Sequence, residues 1–335
     1  MITLRATIKL HTAFGTPLVG DTLFGQLCWA AREQLGNEAL AGLLEGYTSG
    51  KPWLVVSDGF PSGYLPKPTV PVGANSFAQA NVKRADESAP TNAAQQRKAE
   101  KNKRWLPVGK AGIPLKEWMA LAATDQQAFG AKPVEAPQPH NTINRHTGTT
   151  GNSEFAPYTQ PQIFHARDQR IDLYLALDET RLPQEALIEL LKAVGSHGFG
   201  RDASIGLGKF SVESVSANSF AQRAQNRSNE FEPTKTAYLT LAPCAPQGQG
   251  LNGDQSYWRV ITRFGRHGNR HGISEKPFKN PVLLAATGAV FVPQEAYSER
   301  AYIGQGLGSD GQLSKTEPAT VQQGYAPVIG IRMEG

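Results

Sequence analysis

Residues Pro183–Val212 read PQEALIELLKAVGSHGFGRDASIGLGKFSV, and the rest of the chain is organised around them. Apolar side chains recur on one helical face between Leu187 and Val194, which predicts an amphipathic helix. Pro183 suits the first helical position, and Gly195 suits the residue just after the helix end. A glycine-rich loop and a strand follow, so the stretch predicts helix, loop and strand in that order.

The loop combines glycines with cations. Glycine permits positive φ angles and the close approach of another backbone. Successive bare N–H groups beside positive charge form a concavity that suits an anion. The residues with these properties are Gly198, Gly200, Arg201, Gly206, Gly208 and Lys209.

The letters GFGRDA within this loop also match the dinucleotide-binding fingerprint G-x-G-x-x-G/A. That fingerprint works only after a strand and at the start of a helix, where the pyrophosphate meets the helix N-terminus. Here a helix precedes the glycines and a strand follows them. A nicotinamide or flavin site is therefore not expected, and a structural helix-to-strand turn remains an alternative to an anion site.

Composition sets broad limits. The chain has 335 residues, enough for two domains, and its net charge of +5 mildly favours an anionic partner. Cys28 and Cys244 lie far apart, which excludes a zinc site made of thiolates, and Cys28 falls on an apolar helical stripe. Met1 leads directly into a strand pattern and no apolar run approaches about 18 residues, so we expect a cytoplasmic protein without a membrane partner.

The first half alternates strands with helices. Ile2 to Leu10 alternates strictly between apolar and polar residues, which predicts a half-buried strand. Asp21 or Thr22 can cap the following helix. Further strands are predicted at residues 54–57, 140–148, 171–177 and 209–215. The order β, α, β, insertion, β, β, α, β resembles a ferredoxin-like β-α-β-β-α-β domain.

Residues 75–139 differ in composition from their surroundings. The segment is polar and poor in aliphatic residues, so we expect it to project from the first domain as a mobile insertion. Four of its residues place cations next to an aromatic ring, and a short helix is predicted after Pro114. These four residues are Lys101, Lys103, Arg104 and Trp105.

The second half is rich in strands. A polar linker is predicted at 217–235, between a first domain at 1–216 and a second at 236–335. Arg263 and Arg266 belong to a segment predicted to form a basic hairpin or a strand followed by a loop, for which a solvated face is the alternative interpretation. The letters GQGLGSDGQLS predict a second glycine-rich loop. Because helical signal is weak here, we interpret this half as a degenerate copy of the first.

No catalytic constellation is evident in the sequence. The seven histidines lack the spacing of a metal site, and neither a serine nucleophile elbow nor a phosphate-loop lysine is present. We therefore expect no metal and no cofactor. A ferredoxin-like sheet with basic loops and glycines is one way to hold single-stranded RNA through its backbone, which favours RNA binding.

Four stretches together resemble the RAMP superfamily of CRISPR proteins. They are HTAFGTPLVGDTLFGQLCWAAR, LVVSDGFPSGYLPKP, HNTINRHTG and GSHGFGRDASIGLGKF, spread over residues 11–210. The region Arg263–Gly272 and the letters GQGLG extend the likeness weakly towards the end of the chain. Within the superfamily, the chain is most similar to the subunit of type III-A (Csm) effector complexes that holds the 5′ end of the crRNA.

This resemblance implies an α+β fold of two ferredoxin-like (RRM-like) domains, the first with a thumb-like insertion. It also implies a non-catalytic role in antiviral defence. Family members grip the 5′ handle of the crRNA, contact the large polymerase/cyclase subunit and the first backbone subunit, and meet target RNA only indirectly.

The resemblance also assigns residues to RNA binding. The glycine-loop motif supplies Gly198, Phe199, Gly200, Arg201, Ser204, Gly206, Gly208 and Lys209. The other motifs supply His11, Asp21, Ser62, Gly63, Tyr64, His140, Asn144 and Arg145. Position and charge add Lys101, Lys103, Arg104 and Trp105 of the insertion, and Arg263 and Arg266 of the second half.

Two other functions remain open at this point. One is a metal-independent endoribonuclease of the same superfamily that cleaves repeat RNA. It would use His11, His140 or His197 to activate a ribose 2′-hydroxyl. The other is a scaffold subunit that touches RNA little, for which affinity would hardly depend on salt.

Overall fold

The computed structural model of the chain describes residues 1–71, 99–151, 155–218, 236–268 and 277–333. Among these residues, no helix is long and apolar enough to cross a membrane. The helices are α1 (Gly20–Leu35), α2 (Asn37–Leu44), α3 (Leu115–Ala120), α4 (Asp125–Phe129) and α5 (Gln184–His197).

Strands dominate the described residues. In the first half and the insertion they are β1 (Ile2–Leu10), β2 (Leu54–Val56), β3 (Phe60–Pro61), β4 (Tyr64–Pro66), β5 (Lys103–Pro107), β6 (Ala123–Thr124), β7 (Val134–His140), β8 (Tyr158–Phe164), β9 (Arg170–Leu177) and β10 (Phe210–Ala217). In the second half they are β11 (Thr236–Thr240), β12 (Leu251–Tyr257), β13 (Val260–Arg263), β14 (Val282–Ala285), β15 (Val290–Pro293), β16 (Tyr302–Gly304), β17 (Leu307–Gly308), β18 (Val321–Gln322) and β19 (Tyr325–Arg332).

The first sheet has the strand order β10-β1-β9-β2, and all of its neighbouring strands are antiparallel. Its strands and the helices α1 and α5 follow each other as β-α-β-β-α-β, as the sequence pattern predicts for the first half. Leu4 and Ile8 of β1 are buried together with Leu27 of α1 and Leu191 of α5. The alternation in β1 therefore separates a core face from a polar face.

Helix α1 begins differently from its sequence prediction. Val19 is the residue before the helix, and it makes no side-chain cap hydrogen bond. Neither Asp21 nor Thr22 caps the helix, because Asp21 lies within its first turn. The Gly20 N–H instead donates to Asp58 Oδ1 at 2.8 Å, so a carboxylate from another segment satisfies one of the free N–H groups.

Helix α5 extends past its predicted end. It continues to His197, and Gly198 follows with a φ of 105°. Gly195 thus lies within the helix rather than after it. A Cβ at Gly195 would lie 2.3 Å from the Phe210 carbonyl oxygen, so glycine is required there because the helix packs directly on the backbone of β10.

Much of the predicted insertion is packed rather than projecting. Strands β4, β5 and β6 form a small sheet, and Leu106 and Trp118 are buried against Leu239 and Ile329 of the second half. For residues 103–129 the expectation of a mobile segment is therefore wrong, because apolar side chains concentrated there join the core. Residues 75–98 lie outside the described residues.

A long hairpin, β7–β8, occupies the region where we predicted one strand at residues 140–148. The strand ends at His140, and residues 145–148 form a turn. Pro137 lies directly opposite Pro161 in the β7–β8 register. Prolines have no N–H to donate, and a two-stranded ribbon tolerates them at non-hydrogen-bonded pairs.

The second sheet has the strand order β12-β15-β11-β19-β16. It is buried on both faces, with Leu239 on one side and Tyr238 and Phe291 on the other. Residues 236–268 and 277–333 contain no helix, so a second β-α-β-β-α-β unit is not seen in them and remains a prediction.

The two halves share a core and several hydrogen bonds. The Gln323 side-chain amide accepts from the Val56 N–H at 2.8 Å and donates to the Val56 carbonyl at 2.7 Å, as a neighbouring strand would. The Tyr325 hydroxyl donates to the Tyr47 carbonyl at 2.6 Å. A Cβ at Gly306 would lie 2.5 Å from that same oxygen, so the second glycine-rich loop packs against the first half.

Candidate nucleic-acid interface

The glycine-rich loop, residues 198–209, folds against residues 11–16, which follow β1. The Gly208 N–H donates to the Ala13 carbonyl at 2.8 Å, and the His11 N–H donates to the Lys209 carbonyl at 2.9 Å. The Lys209 N–H donates to Thr12 Oγ1 at 2.9 Å. These bonds join the two loops into one unit at the end of the first sheet.

The glycines allow this close packing. A Cβ at Gly15 would lie 2.4 Å from the Arg201 carbonyl oxygen, and one at Gly208 would lie 2.1 Å from the Phe199 carbonyl oxygen. A Cβ at Gly200 would approach the Thr16 hydroxyl even more closely. The atoms that approach these glycines therefore belong to the chain itself.

The part of the loop that we call its crest, residues 203–206, is open to solvent. Residues Ala203–Ile205 form one 3₁₀ turn between two left-handed residues, Asp202 with φ 63° and Gly206 with φ 98°. Ser204 and Ile205 are exposed. No atom lies within 4 Å of a Cβ built on Gly206. Among the glycines of this loop, Gly206 is thus the one at which a side chain would point into open space.

Two cationic or titratable side chains stand beside this crest. Lys209 is exposed where the loop enters β10. His11 is exposed where β1 ends, and its Nε2 lies 2.8 Å from the Ser211 hydroxyl. The crest and these two side chains form the surface that we call the loop rim: Ser204, Ile205, Gly206, Lys209 and His11.

Phe199 supports the loop from below. Its side chain is fully buried, and its ring centroid lies 6.2 Å from that of Phe14. The backbone of Phe14 exchanges two hydrogen bonds with Ile163 of β8, at 2.9 and 2.8 Å. Phe199 is therefore unavailable for base stacking, and any contribution to RNA binding comes through loop shape.

Arg201 connects the loop to strand β8 of the hairpin. Its guanidinium donates to the Pro161 carbonyl, and its Nε donates to Asp202 Oδ2 at 3.2 Å. Nearby, the His165 ring packs edge-on against Phe14, and burial lowers the pKa of this imidazole. The glycine loop, residues 11–16 and the hairpin base therefore form one continuous surface.

The hairpin tip carries three of the predicted RNA-binding residues. The His140 ring stacks on Tyr158, with centroids 5.2 Å apart and planes inclined by 13°. Asn144 shapes the turn, since its Oδ1 accepts from the His146 N–H at 2.9 Å. Arg145 is exposed beside it. The tip thus offers a cation and a stacked ring pair.

Ser62 and Gly63, also predicted to bind RNA, are held by a buried carboxylate. Asp172 of β9 accepts from the Thr7 hydroxyl at 2.7 Å, the Ser62 hydroxyl at 3.1 Å and the Gly63 N–H at 2.9 Å. These bonds fix the turn before Tyr64. Sequence reasoning missed Asp172, although one acidic residue within the apolar run IDLYLAL was a usable signal.

The insertion residues do not form a free cationic group around an aromatic ring. The Trp105 indole donates to Asp125 Oδ1 at 2.7 Å, and its ring packs edge-on against Phe129. Arg104 lies 3.9 Å from the same aspartate, and Lys103 pairs with a glutamate three residues before it. Trp105 is therefore a packing residue, whereas Lys101 is exposed.

Asp21 and Arg263 bind each other. The Arg263 guanidinium donates to both Asp21 carboxylate oxygens, at 2.8 and 2.7 Å, and the Asp21 side chain is only 5% exposed. Arg266 lies over the Phe278 ring at 5.9 Å. The structure thus places Asp21 and Arg263 in an ion pair between the two halves.

Asp58 lies beside this ion pair. It accepts from the Gly20 N–H and from the Thr287 hydroxyl of the second half. Burial raises the pKa of the Asp58 carboxyl to about 7. Burial likewise raises the pKa of the Cys28 and Cys244 thiols to about 12, so both thiols stay protonated. Within the described parts of the chain, no three His, Cys, Asp or Glu side chains group together as metal ligands would.

The raised pKa of Asp58 predicts a pH-dependent stability. The folded protein binds the proton more tightly than the unfolded chain, whose Asp58 pKa is near 3.8. The free energy of unfolding should therefore fall as the pH rises from about 4 to about 7, by roughly 2–4 kcal/mol. Urea denaturation across this range measures the change.

Asp58→Asn is the control for this prediction. Asparagine keeps an acceptor for the Gly20 N–H and does not titrate, so the fall in stability between about pH 4 and pH 7 should disappear. An unchanged pH profile in the variant would show that another group causes the dependence.

Comparison with known proteins supports the fold. No protein-family model and no curated protein matches the sequence. A chain of the Csm3-Csm4 subcomplex in the type III-A CRISPR-Cas interference complex matches with a TM-score of 0.56 and 13% identity, over 98% of this chain and 99% of that chain. A chain of the Csm1-Csm4 cassette in complex with cA4 matches with a TM-score of 0.54 and 14% identity, over 99% of both chains.

A third structure, the Csm1-Csm4 cassette in complex with pppApA, gives a TM-score of 0.52 at 14% identity over 99% of both chains. The chain therefore has the fold of a type III CRISPR effector subunit. The matched chains are Csm4 subunits of type III-A complexes. The family resemblance carried by the four sequence motifs is confirmed at the level of the fold.

Proposed function

We propose that the chain is a non-catalytic RNA-binding subunit of a type III-A CRISPR effector complex, acting in the cytoplasm in antiviral defence. It anchors the 5′ handle of the crRNA and contacts the large polymerase/cyclase subunit and the first backbone subunit. Its fold, shared over nearly the whole chain with Csm4 subunits, supports membership of such a complex.

The loop rim is the observation that carries the RNA-binding part of this proposal. An exposed turn of backbone at Ser204–Gly206 stands beside the exposed cation Lys209. Such a surface suits the phosphates of a single strand, since phosphate contacts provide affinity without sequence readout. The hairpin, tied to the loop through Arg201, extends the same surface to Arg145.

The packing of the loop explains how it could hold RNA without rearranging. Backbone hydrogen bonds to residues 11–13 and the buried Phe199 fix its shape before any ligand binds. A preformed site loses less conformational entropy on binding than a flexible loop does. This rigidity fits an anchor that holds one end of the guide.

A second candidate is the metal-independent endoribonuclease. The observation that favours it is the exposed His11, which lies next to Ser211 and belongs to the loop rim together with Lys209. An imidazole beside a cation could activate a ribose 2′-hydroxyl and stabilise the charge that develops. Incubation of the purified chain with repeat RNA in EDTA tests this activity. Cleavage that is lost in His11→Ala would favour the enzyme.

Lys209→Ala tests the proposed anchor. We expect the affinity for an RNA carrying the 5′ handle to fall about fivefold to tenfold, because one phosphate contact is lost. The slope of log affinity against log salt should decrease by about 1. Fluorescence anisotropy titrations at several salt concentrations measure both quantities.

Lys192→Ala is the matched control, because Lys192 is an exposed lysine on α5 that pairs with Glu189. It should leave both the affinity and the salt slope unchanged. Equal effects of the two substitutions would indicate a general loss of positive charge and would contradict the assignment of the loop rim. A wild-type affinity that hardly depends on salt would favour a scaffold.

A further inference from the structure

The ribbon formed by β13 and β14 has an unusually apolar outer face. Four large apolar side chains are more than half exposed there: Val260 (63%), Phe264 (68%), Phe278 (64%) and Leu283 (65%). Thr262 lies opposite Leu283 in the register, so Val260 and Leu283 share one face. Phe264 continues the alternation just past the end of β13, and Phe278 pairs with Arg266 beyond it. We call these four residues the outer ribbon face. Clustered exposed apolar residues mark interaction sites more often than isolated ones.

The inner face of the ribbon is already occupied. Arg263 points inward to Asp21 and Thr22 of α1, and Leu284 is buried. A Cβ at Gly268 would lie 2.5 Å from the Trp29 indole nitrogen of α1. The ribbon is therefore fixed over α1, and strand alternation directs the outer ribbon face away from the rest of the chain.

The charge around this face indicates the chemistry of its partner. Two exposed arginines, Arg259 and Arg266, flank the face, and residues 258–266 and 277–286 contain no aspartate or glutamate. A second copy of the chain would bring like charges together. Of the four residues only Phe264 and Phe278 have the flat π surface on which bases stack, and the aliphatic half of the face, Val260 and Leu283, disfavours RNA. The face suits a protein with an apolar patch rimmed by carboxylates.

The place of the ribbon in the fold distinguishes between the two neighbours in the proposed complex, the backbone subunit and the large subunit. A guide RNA is continuous, so the backbone subunit that holds its next nucleotides must adjoin the loop rim and the hairpin. The ribbon is instead held by α1 and the second half of the chain. This inference rests on the proposed function. We propose that the outer ribbon face binds the large polymerase/cyclase subunit, and that the large subunit contributes an apolar patch with an acidic rim.

A double variant, Phe264→Asp with Leu283→Asp, tests the proposal in the full-length chain. Calorimetric titration with the purified large subunit should show at least about tenfold weaker binding, because charge replaces apolar contact at the interface centre. Phe264→Ser with Leu283→Ser should act in the same direction without adding charge. The thermal unfolding midpoint of both variants should match that of the wild type, because both residues are exposed.

Leu121→Asp is the matched control, since Leu121 is an exposed leucine on another part of the surface. It should leave the affinity for the large subunit unchanged. Unchanged binding in both ribbon variants, or weakening for the backbone subunit alone, would overturn the proposal. Loss of handle RNA affinity with intact subunit binding would show that the face binds RNA and would also overturn it. If the wild-type chain bound neither handle RNA nor the large subunit, the proposed function itself would fail.

Discussion

Gly208→Ala is expected to lower the free energy of unfolding by about 3 kcal/mol or more and to disrupt the loop rim. Gly208 has a φ of 71°, which side-chain-bearing residues rarely adopt. A Cβ there would lie 2.1 Å from the Phe199 carbonyl oxygen and 2.5 Å from the Phe199 nitrogen. Backbone atoms cannot move aside as a flexible side chain would. Urea denaturation followed by circular dichroism measures the loss.

The same substitution should reduce handle affinity by more than about tenfold if the loop rim binds RNA. Gly208 carries two of the bonds that shape the loop, since it donates to Ala13 and accepts from Phe199. Displacing it separates the crest from Lys209. An affinity measured under conditions where the variant remains folded separates this effect from general unfolding.

Gly206→Ala is the control for both effects. Gly206 also has a positive φ, of 98°, yet nothing lies within 4 Å of its built Cβ. Its substitution should cost only the left-handed backbone strain, about 1–2 kcal/mol. If both variants lost the same free energy of unfolding, the positive φ alone would explain the loss and the contact with Phe199 would contribute nothing.

Local patterns predicted the elements around the glycine loop well. The alternation of β1 and the helical periodicity of α5 depend on residues close in sequence, so each pattern is complete within its own segment. The helix end was less well placed, because Gly195 serves packing against Phe210 rather than termination. A glycine has the same appearance in sequence whether it permits a turn or a contact.

The insertion shows how an average composition can mislead. Taken over residues 75–139 the segment is polar, but its apolar residues concentrate in a short stretch that includes Leu106 and Trp118. That stretch contributes to a core shared with the second half. A sequence pattern read over a few neighbouring residues cannot show this, because the partner residues are more than 100 positions away. The hairpin β7–β8 was missed for a related reason, since its prolines argue against a strand except in a two-stranded ribbon.

The candidate site was predicted in part. The glycine motif, Lys209 and His11 do meet at one surface, which supports the use of motifs. Arg201 was expected to bind phosphate but instead donates to a backbone carbonyl of the hairpin. The partner of Arg263 is separated from it by 242 residues. Such pairings depend on tertiary structure, and charge patterns along the sequence do not encode them.

Arg263→Ala is expected to lower the free energy of unfolding by about 3–5 kcal/mol, because it leaves the buried Asp21 carboxylate without its cation. The pair is bidentate and the Asp21 side chain is 5% exposed, so without Arg263 the carboxylate would lose its cation in a largely buried position. The ribbon would also lose its ion pair to α1. Urea denaturation of the variant and the wild type measures the difference.

The double variant Asp21→Asn with Arg263→Ala isolates the cost of the unpaired charge. Asparagine carries no charge, so the double variant should be more stable than Arg263→Ala alone, a sign of strong coupling between the two residues. Arg259→Ala removes an exposed arginine next to the same strand and should change stability by less than about 0.5 kcal/mol. If Arg263→Ala left stability intact but weakened handle binding, Arg263 would act on RNA as the family resemblance implies. The expected result assigns it instead to holding the ribbon on α1, where the outer ribbon face depends on it.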